Sequence, residues 1–491
     1  MTLARVRLFW CLLLASVTPA SAAAAAENVG LRVGTAKIDI TPANDAALPL
    51  AGYGNRVLPA EAVHDPLHVR ALVVDDGSNQ AAIISVELIG LSTAFWEKLT
   101  ARITQETGIR QDHVLLTVVH THAAPEIRAQ SPTAAGAAAA GPANEVAAKR
   151  AEYLTRVENA VAAAVQEAKS RLQPAKMGFG TGRANVNINR RARNADGGWG
   201  LGLNPDGASD KTVAVVKFET LAGEPFAIFA NYGVHATVMG PSNLQVSSDL
   251  PGATSRFVEA HYGNKVVAAW TSGAGGDQAP IYDRNGTEFR HVAVLGQILG
   301  EEVVRVADSI QTSSRGRIRA LQKVVSCPGK RTVQNPGPNR EYKIEDADPV
   351  SIRLSLLMIN DVAFAGVSGE VLTEIGQRLK RESPLARTIL VTHCNGSSGY
   401  IPDDAAYDQV SFEIVVSRLK RGCAEDAIVI LNRAGAWRPR PPETFPRDCP
   451  APNHSLARGL RAPGCRTERL LLRQRVPRRR EDRLPHRRCH A

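Results

Sequence analysis

The run Val114-Leu115-Leu116-Thr117-Val118-Val119-His120-Thr121-His122-Ala123-Ala124-Pro125-Glu126 passes from six strand-forming residues into a histidine-bearing turn closed by proline. An apolar run with so little alternation is expected of a strand covered on both faces, because a strand with one wet face alternates. Residues i and i+2 of a strand point the same way, so His120 and His122 are expected to reach one site. A lone histidine is more often a satisfied structural residue, whereas two at the exit of a buried strand suit a metal.

On either side, short apolar runs alternate with helical patterns. Residues 71–74 and 81–86 flank the turn Asp75-Asp76-Gly77-Ser78, a hairpin signal. Thr93 to Thr107 reads as a helix, and so does Asn144 to Leu172, with Asn144 as its candidate N-cap. Buried strands are expected at 213–216, 226–230, 265–270 and 362–365, and helices at 250–261, 291–309 and 371–382. The alanine-rich stretch 134–143 reads as a loop. This alternation predicts an α/β protein with a mixed sheet.

Polar residues collect where these strands end, the usual place for a site in an open α/β sheet. Asn231-Tyr232-Gly233-Val234-His235 puts a second histidine at a strand exit. Ser272 to Pro280 brings glycines and Asp277, residues 366–370 bring Glu370, and Asn395 to Tyr400 places a tyrosine in a glycine-rich turn. Two or three histidines with one carboxylate match the composition of a catalytic zinc site that keeps an open position. The plainer readings are a turn-capping carboxylate for Asp277 and buried packing for Tyr400. No Cys-x-x-Cys pair occurs, so a thiolate zinc site is not expected.

With 44% hydrophobic and 22% charged residues in 491, the chain has the composition of a globular protein, not of a disordered, collagen-like or polytopic membrane one. Its net charge of +11 resides in residues 431–491, which hold 16 Arg, no Lys and five acidic residues. The body from 23 to 430 is long enough for one large core or a core with insertions, and is expected to be the functional domain. Being neutral, it gives no reason to expect nucleic acid as a partner. The Arg- and Pro-rich tail reads as disordered, or as a frame never selected to fold, with a nucleic-acid or membrane role as the competing reading. At the other end, Arg5 and Arg7, the apolar run from Leu8 to Val17 and Ala20-Ser21-Ala22 read as a signal peptide over 1–22, too short to span a bilayer. The mature protein is therefore expected to be secreted or periplasmic. Any two of Cys327, Cys394 and Cys423 could pair, and spacing does not say which.

The opening Val33-Gly34-Thr35-Ala36-Lys37-Ile38-Asp39-Ile40-Thr41-Pro42, the turn Ala51-Gly52-Tyr53-Gly54 and the order of the motifs above resemble the neutral/alkaline non-lysosomal ceramidase family. The resemblance runs from about Val33 to about Glu413. It implies an exported zinc amidohydrolase that splits N-acylsphingosine into sphingosine and a fatty acid. It puts Zn2+ on His120, His235, Glu370 and Tyr400, His122 against the reacting amide, and Arg190 on the oxyanion side. Asp277 would orient neighbours or act as a base. A lipid amide substrate and peripheral membrane contact are implied; an oligomeric state is not. Three departures stand out. Ala279, in Gly276-Asp277-Gln278-Ala279-Pro280, replaces the serine of the family's Gly-Asp-x-Ser-Pro motif. Ser368 replaces the proline before its Gly-Glu, and its C-terminal β-sandwich domain is expected to be missing. They leave open a zinc hydrolase of another amide or ester, and a non-catalytic zinc-binding relic.

Overall fold

The strand expected from the opening run spans Val114–Val118, and all five residues are buried. It is one edge of an eight-stranded sheet. From the other edge the order is Val267–Ser272, Pro225–Tyr232, Thr212–Thr220, Gln173–Arg183, Arg32–Asp39, His68–Asp75, Gln80–Val86 and Val114–Val118. Pairing is parallel at each edge and antiparallel in between, so the sheet is mixed. This computed structural model describes residues 30–43, 48–54, 56–127, 142–283, 288–334 and 342–433. The expected signal peptide and nearly all of the Arg-rich tail lie outside the described residues, as do residues 134–141 of the alanine-rich stretch.

Both faces of the large sheet are covered, which explains the near absence of alternation in its strands. Val114, Leu116 and Val118 enter a core shared with the helices Thr93–Thr107 and Pro142–Ser170. Leu115 points the other way, into a core shared with a second sheet. That sheet runs Ile318–Gln334, Tyr342–Ile359, Val362–Val367, Arg387–Val391. Its outer face packs on the helices Thr373–Glu382 and Ala424–Arg433. Helices Asp249–His261 and Phe289–Ser309 cover the rest of the large sheet. The layers are therefore helix, sheet, sheet and helix; the mixed α/β class was expected, the second sheet was not. Thr93–Thr107 shows the local logic: the Ser92 side chain accepts from Phe95 N, Gly108 ends the helix at φ 72°, and Trp96, Leu99 and Ile103 form its buried face. No helix among the described residues is long and apolar enough to cross a membrane.

Residues Thr392 to Asn395, leaving the strand Arg387–Val391, bridge the two edges of the large sheet. Thr392 N donates to Ser272 O at 2.9 Å, and Asn395 N to Leu116 O at 2.8 Å. The Asn395 amide is fully used. Its oxygen accepts from Leu116 N and Trp96 Nε1, both at 2.9 Å, and its nitrogen donates to Val114 O at 3.0 Å and Ser355 Oγ at 2.9 Å. The bridge draws the exits of several strands into one place. One boundary shift matters there: the helix expected from 371 begins at Thr373, because Glu370–Val371 pairs as a short parallel strand with Tyr400–Ile401.

Two further features hold the layers together. Arg70, between the large sheet and the helix Asp249–His261, is buried with two carboxylates. Its Nη1 donates to Glu87 Oε1 at 2.6 Å and its Nε to Glu259 Oε1 at 2.7 Å. Lys37 Nζ and His68 N, each at 2.6 Å, take the Oε2 atoms of Glu259 and Glu87. Cys327 and Cys423 form a disulfide across 96 residues, which resolves the open pairing; Cys394 is buried and free.

Candidate metal centre

The strand Val114–Val118 ends before His120, whose backbone is left-handed at φ 64°. His120 and His122 therefore do not share a strand face as expected; a turn aims them instead. His120 N donates to Leu88 O at 2.9 Å and His122 N to Ala236 O at 3.2 Å, which brings their Nε2 atoms to 3.4 Å. His235 follows the strand Pro225–Tyr232, and its N donates to Gln278 O at 3.0 Å. Glu370 lies directly opposite Tyr400 in the short parallel pair.

His120 Nδ1 pairs with Ile89 O at 2.7 Å, and His235 Nδ1 with Gly275 O at 2.6 Å. A carbonyl only accepts, so each Nδ1 carries the proton and each Nε2 presents a lone pair inward. Glu370 Oε2 faces those lone pairs, 3.4 Å from His120 Nε2 and 3.3 Å from His235 Nε2, and it is buried without a hydrogen-bond partner. Three electron-pair donors converge with no proton between them, an arrangement that a cation resolves. A tetrahedral ion with bonds of about 2.0–2.1 Å separates its ligands by about 3.3 Å, which these spacings match. Two imidazoles and a carboxylate are a donor set of catalytic zinc, so the residues fit that ion.

His122 stands beside this group. Burial, then His120 and His235, hold its imidazole well below its usual value, so it is neutral. Gly52, at φ 93°, leaves room for the ring: a Cβ there would lie 2.3 Å from His122 Nδ1. Tyr53 meets the ring edge-on, with centroids 5.0 Å apart. The buried Arg56 fixes this corner by donating to the carbonyls of Leu50, Ala51, His122 and Asn243.

Arg190 approaches from the strand Asn187–Arg193. Its Nη2 donates to Tyr400 OH at 2.9 Å and its Nε to Glu413 Oε1 at 2.8 Å. Tyr400 OH lies 3.3 Å from His235 Nε2, and burial raises its phenol so that it keeps its proton. Asp277 uses both oxygens. Oδ1 accepts from Thr373 Oγ1 at 2.8 Å, Thr373 N at 3.0 Å and Gln278 Nε2 at 3.1 Å, and Oδ2 accepts from Asn189 Nδ2 at 3.2 Å. Its backbone oxygen accepts from Arg190 N at 2.9 Å. Ala279 is fully buried in the strand Gln278–Pro280, opposite Ile188.

Two residues at the centre escaped the sequence reading. Glu413 is the buried counter-charge of Arg190, and nothing in its local sequence marks it. His393 is a third strand-exit histidine, following the apolar run 389–391 as His120 follows 114–119. Its ring stacks on His120 with centroids 4.0 Å apart at 17°. The ligand atoms of His120, Glu370 and His393 lie within 4.8 Å of one another, as do those of His120, His122 and His235.

Residues 31–288 match the neutral/alkaline non-lysosomal ceramidase N-terminal domain. The chain belongs to this family. It is 27% identical to neutral ceramidase A of Dictyostelium discoideum over 254 residues, 48% of this chain and 32% of that one. Against neutral ceramidase B of the same organism it is 27% identical over 244 residues, 46% of this chain and 31% of that one. The match thus spans about a third of the length of these relatives. Among solved structures, a ceramidase complexed with C2 superposes with a TM-score of 0.67 at 17% identity, covering 82% of this chain and 74% of that one. The neutral ceramidase of Pseudomonas aeruginosa gives the same TM-score and identity over 73% of its length. These likenesses establish the ceramidase fold. Within this ceramidase-family chain the matched stretch holds His120, His122, Arg190, His235, Asp277 and Ala279. Glu370, His393 and Tyr400 lie beyond it and join the others through the fold.

Proposed function

We propose that this chain is an exported, zinc-dependent hydrolase of an amide bond, with an N-acylated sphingoid lipid as substrate. The observation that carries the reading is the convergence of His120 Nε2, His235 Nε2 and the partnerless Glu370 Oε2. Zinc held by these residues supplies Lewis acidity, which polarises a carbonyl and acidifies water. The remaining work falls to the chain's own groups. Arg190, fixed by Glu413, presents a permanent positive charge where an oxyanion develops. Tyr400, oriented by Arg190, donates a hydrogen bond from its phenol. His122 is neutral and accepts a proton from the attacking water, then passes it to the leaving amine. Asp277 orients the Arg190 strand and the start of the helix Thr373–Glu382. The lipid is reached by peripheral contact with a membrane.

Ala279 favours a second reading, in which the same centre cleaves a smaller amide or an ester. A buried methyl neither attacks nor donates a hydrogen bond, so no mechanism here uses a hydroxyl at that position. The deciding experiment offers the purified chain a fluorescent N-acylsphingosine, an N-acylated amino sugar and a short acyl ester, each with chelator and with zinc restored. Turnover of the first substrate, lost and regained with zinc, is the expected result. Turnover of the others alone selects the second reading. Bound zinc with no turnover of any of them sinks the hydrolase.

A further inference from the structure

We propose that Ser368 is a positioning residue of the metal centre, whose hydroxyl sets the register that holds Glu370 opposite Tyr400. The proposal rests on the metal-centre reading above and concerns how two of its side chains are brought together. Glu370–Val371 and Tyr400–Ile401 form a parallel pair only two residues long, joined to no other strand among the described residues. So short a ladder does not fix its own register. A slip of one residue would turn Glu370 away from the centre and put Val371 in its place.

The register is set just upstream, where one ladder gives way to another. Leu354 pairs with Val367 in the antiparallel ladder of the second sheet, so Arg353 and Ser368 form the next rung. Ser368 N donates to Arg353 O at 3.1 Å, as a hydrogen-bonded rung requires. The return bond is different: Arg353 N donates at 2.8 Å to the Ser368 hydroxyl, not to the Ser368 carbonyl. The side chain thus stands in for its own carbonyl, which is left to accept from Ser398 N. The next bonds along, Glu370 N to Gly399 O at 2.9 Å and Leu372 N to Ile401 O at 3.1 Å, complete the parallel pair. Ser398 closes the clasp from its side. Its Oγ gives its one hydrogen to Ser351 O at 2.9 Å, so in the 2.8 Å contact between the two hydroxyls Ser368 is the donor. Both serines are buried, and each hydroxyl both donates and accepts. Proline, the residue of the family motif at this position, carries neither this N–H nor a hydroxyl, so the clasp is made by this chain's departure from the motif.

The test uses the full chain, loaded with zinc for affinity by competition with a chromophoric chelator, and with cobalt(II) for the visible spectrum of the bound ion. Ser368→Ala should return the residue 368 carbonyl to Arg353 N and release Ser398 N. Zinc affinity should fall about 10- to 100-fold, and the cobalt spectrum should change shape. Ser368→Thr, which keeps the hydroxyl, should bind zinc within about threefold of the parent and show the parent's spectrum. Arg70→Ala controls for lost stability alone, and should leave affinity and spectrum of the folded fraction unchanged. Affinity and spectrum unchanged in Ser368→Ala overturn the proposal, as does a loss that Ser368→Thr does not restore. If Ser368→Ala does not fold, Ser398→Ala decides by the same two measurements, with about a tenfold loss expected and unchanged affinity overturning the proposal. His120→Ala that still retains zinc overturns the metal centre itself, an outcome separate from the others.

Discussion

Two groups of buried charged residues sit against the same large sheet and follow opposite rules. Around Arg70 the cluster closes on itself: both oxygens of Glu87 and both of Glu259 accept from Arg70, Lys37 or backbone N–H groups. Burial alone would neutralise Glu87, yet Arg70 holds its carboxyl well below the usual range. Around His120 the cluster stays open, with acceptor facing acceptor and Glu370 Oε2 without a donor. A structural ion cluster spends its polar atoms on one another; a binding site keeps them for something that arrives. Burial and charge do not separate the two, and the direction of the lone pairs does.

That contrast can be broken by mutation. The largest expected effect is at the open cluster, where Glu370→Gln should abolish zinc retention and lower hydrolysis by about 10³-fold or more. Its metal-free form should stay close to the parent's thermal midpoint, because the oxygen that faces the histidines accepts no hydrogen bond. Elemental analysis and calorimetry check this, and a large drop in midpoint would erase the contrast. Next comes Arg70→Ala, which strands two buried carboxylates and should cost about 3–5 kcal/mol in chemical denaturation. Zinc affinity should persist in whatever fraction remains folded.

Lowering the pH sharpens the same comparison. Burial, with Arg190 nearby, depresses the His235 imidazole from 6.5 to about 4, so the unfolded chain takes up a proton that the metal-free native state resists. Stability of the metal-free protein should therefore fall as pH drops from about 6.5 towards about 4, by on the order of 2–3 kcal/mol. A flat pH profile there would mean that the histidines are charged in the native state. The smallest effect is expected from Gly52→Ala, whose methyl meets the His122 ring first. Turnover should fall about tenfold with zinc affinity nearly unchanged.

Much of this was legible in the sequence, for a physical reason. A strand covered on both faces leaves an uninterrupted apolar run, so 114–119 and 226–230 announced themselves together with the histidines at their exits. The centre inherited that clarity, since His120, His235 and Glu370 each follow such a run. The second sheet did not announce itself. The outer parts of Ile318–Gln334 and Tyr342–Ile359 are half exposed and carry Lys, Arg, Glu and Asp, which hides their pairing. His393 was missed because the apolar run before it is only three residues long. Glu413 was missed because its partner, Arg190, is 223 residues away. The turn geometry at His120 was also illegible, since a left-handed residue there leaves no mark on periodicity.

The bridge made by Thr392 to Asn395 has a consequence for the order of events during folding. His120, His235 and Glu370 come from well-separated parts of the chain and meet only where that segment spans the sheet's two edges. The loop-closure entropy of the whole domain must be overcome before any two of them are neighbours. The ion therefore cannot nucleate this chain as it nucleates a zinc finger. An ion bound there would arrive late, as a ligand of the finished state alone, and would add about 4 kcal/mol when present at a thousand times its dissociation constant. A chelator should therefore leave behind a folded, empty protein rather than a collapsed chain, and refolding rates should be indifferent to zinc.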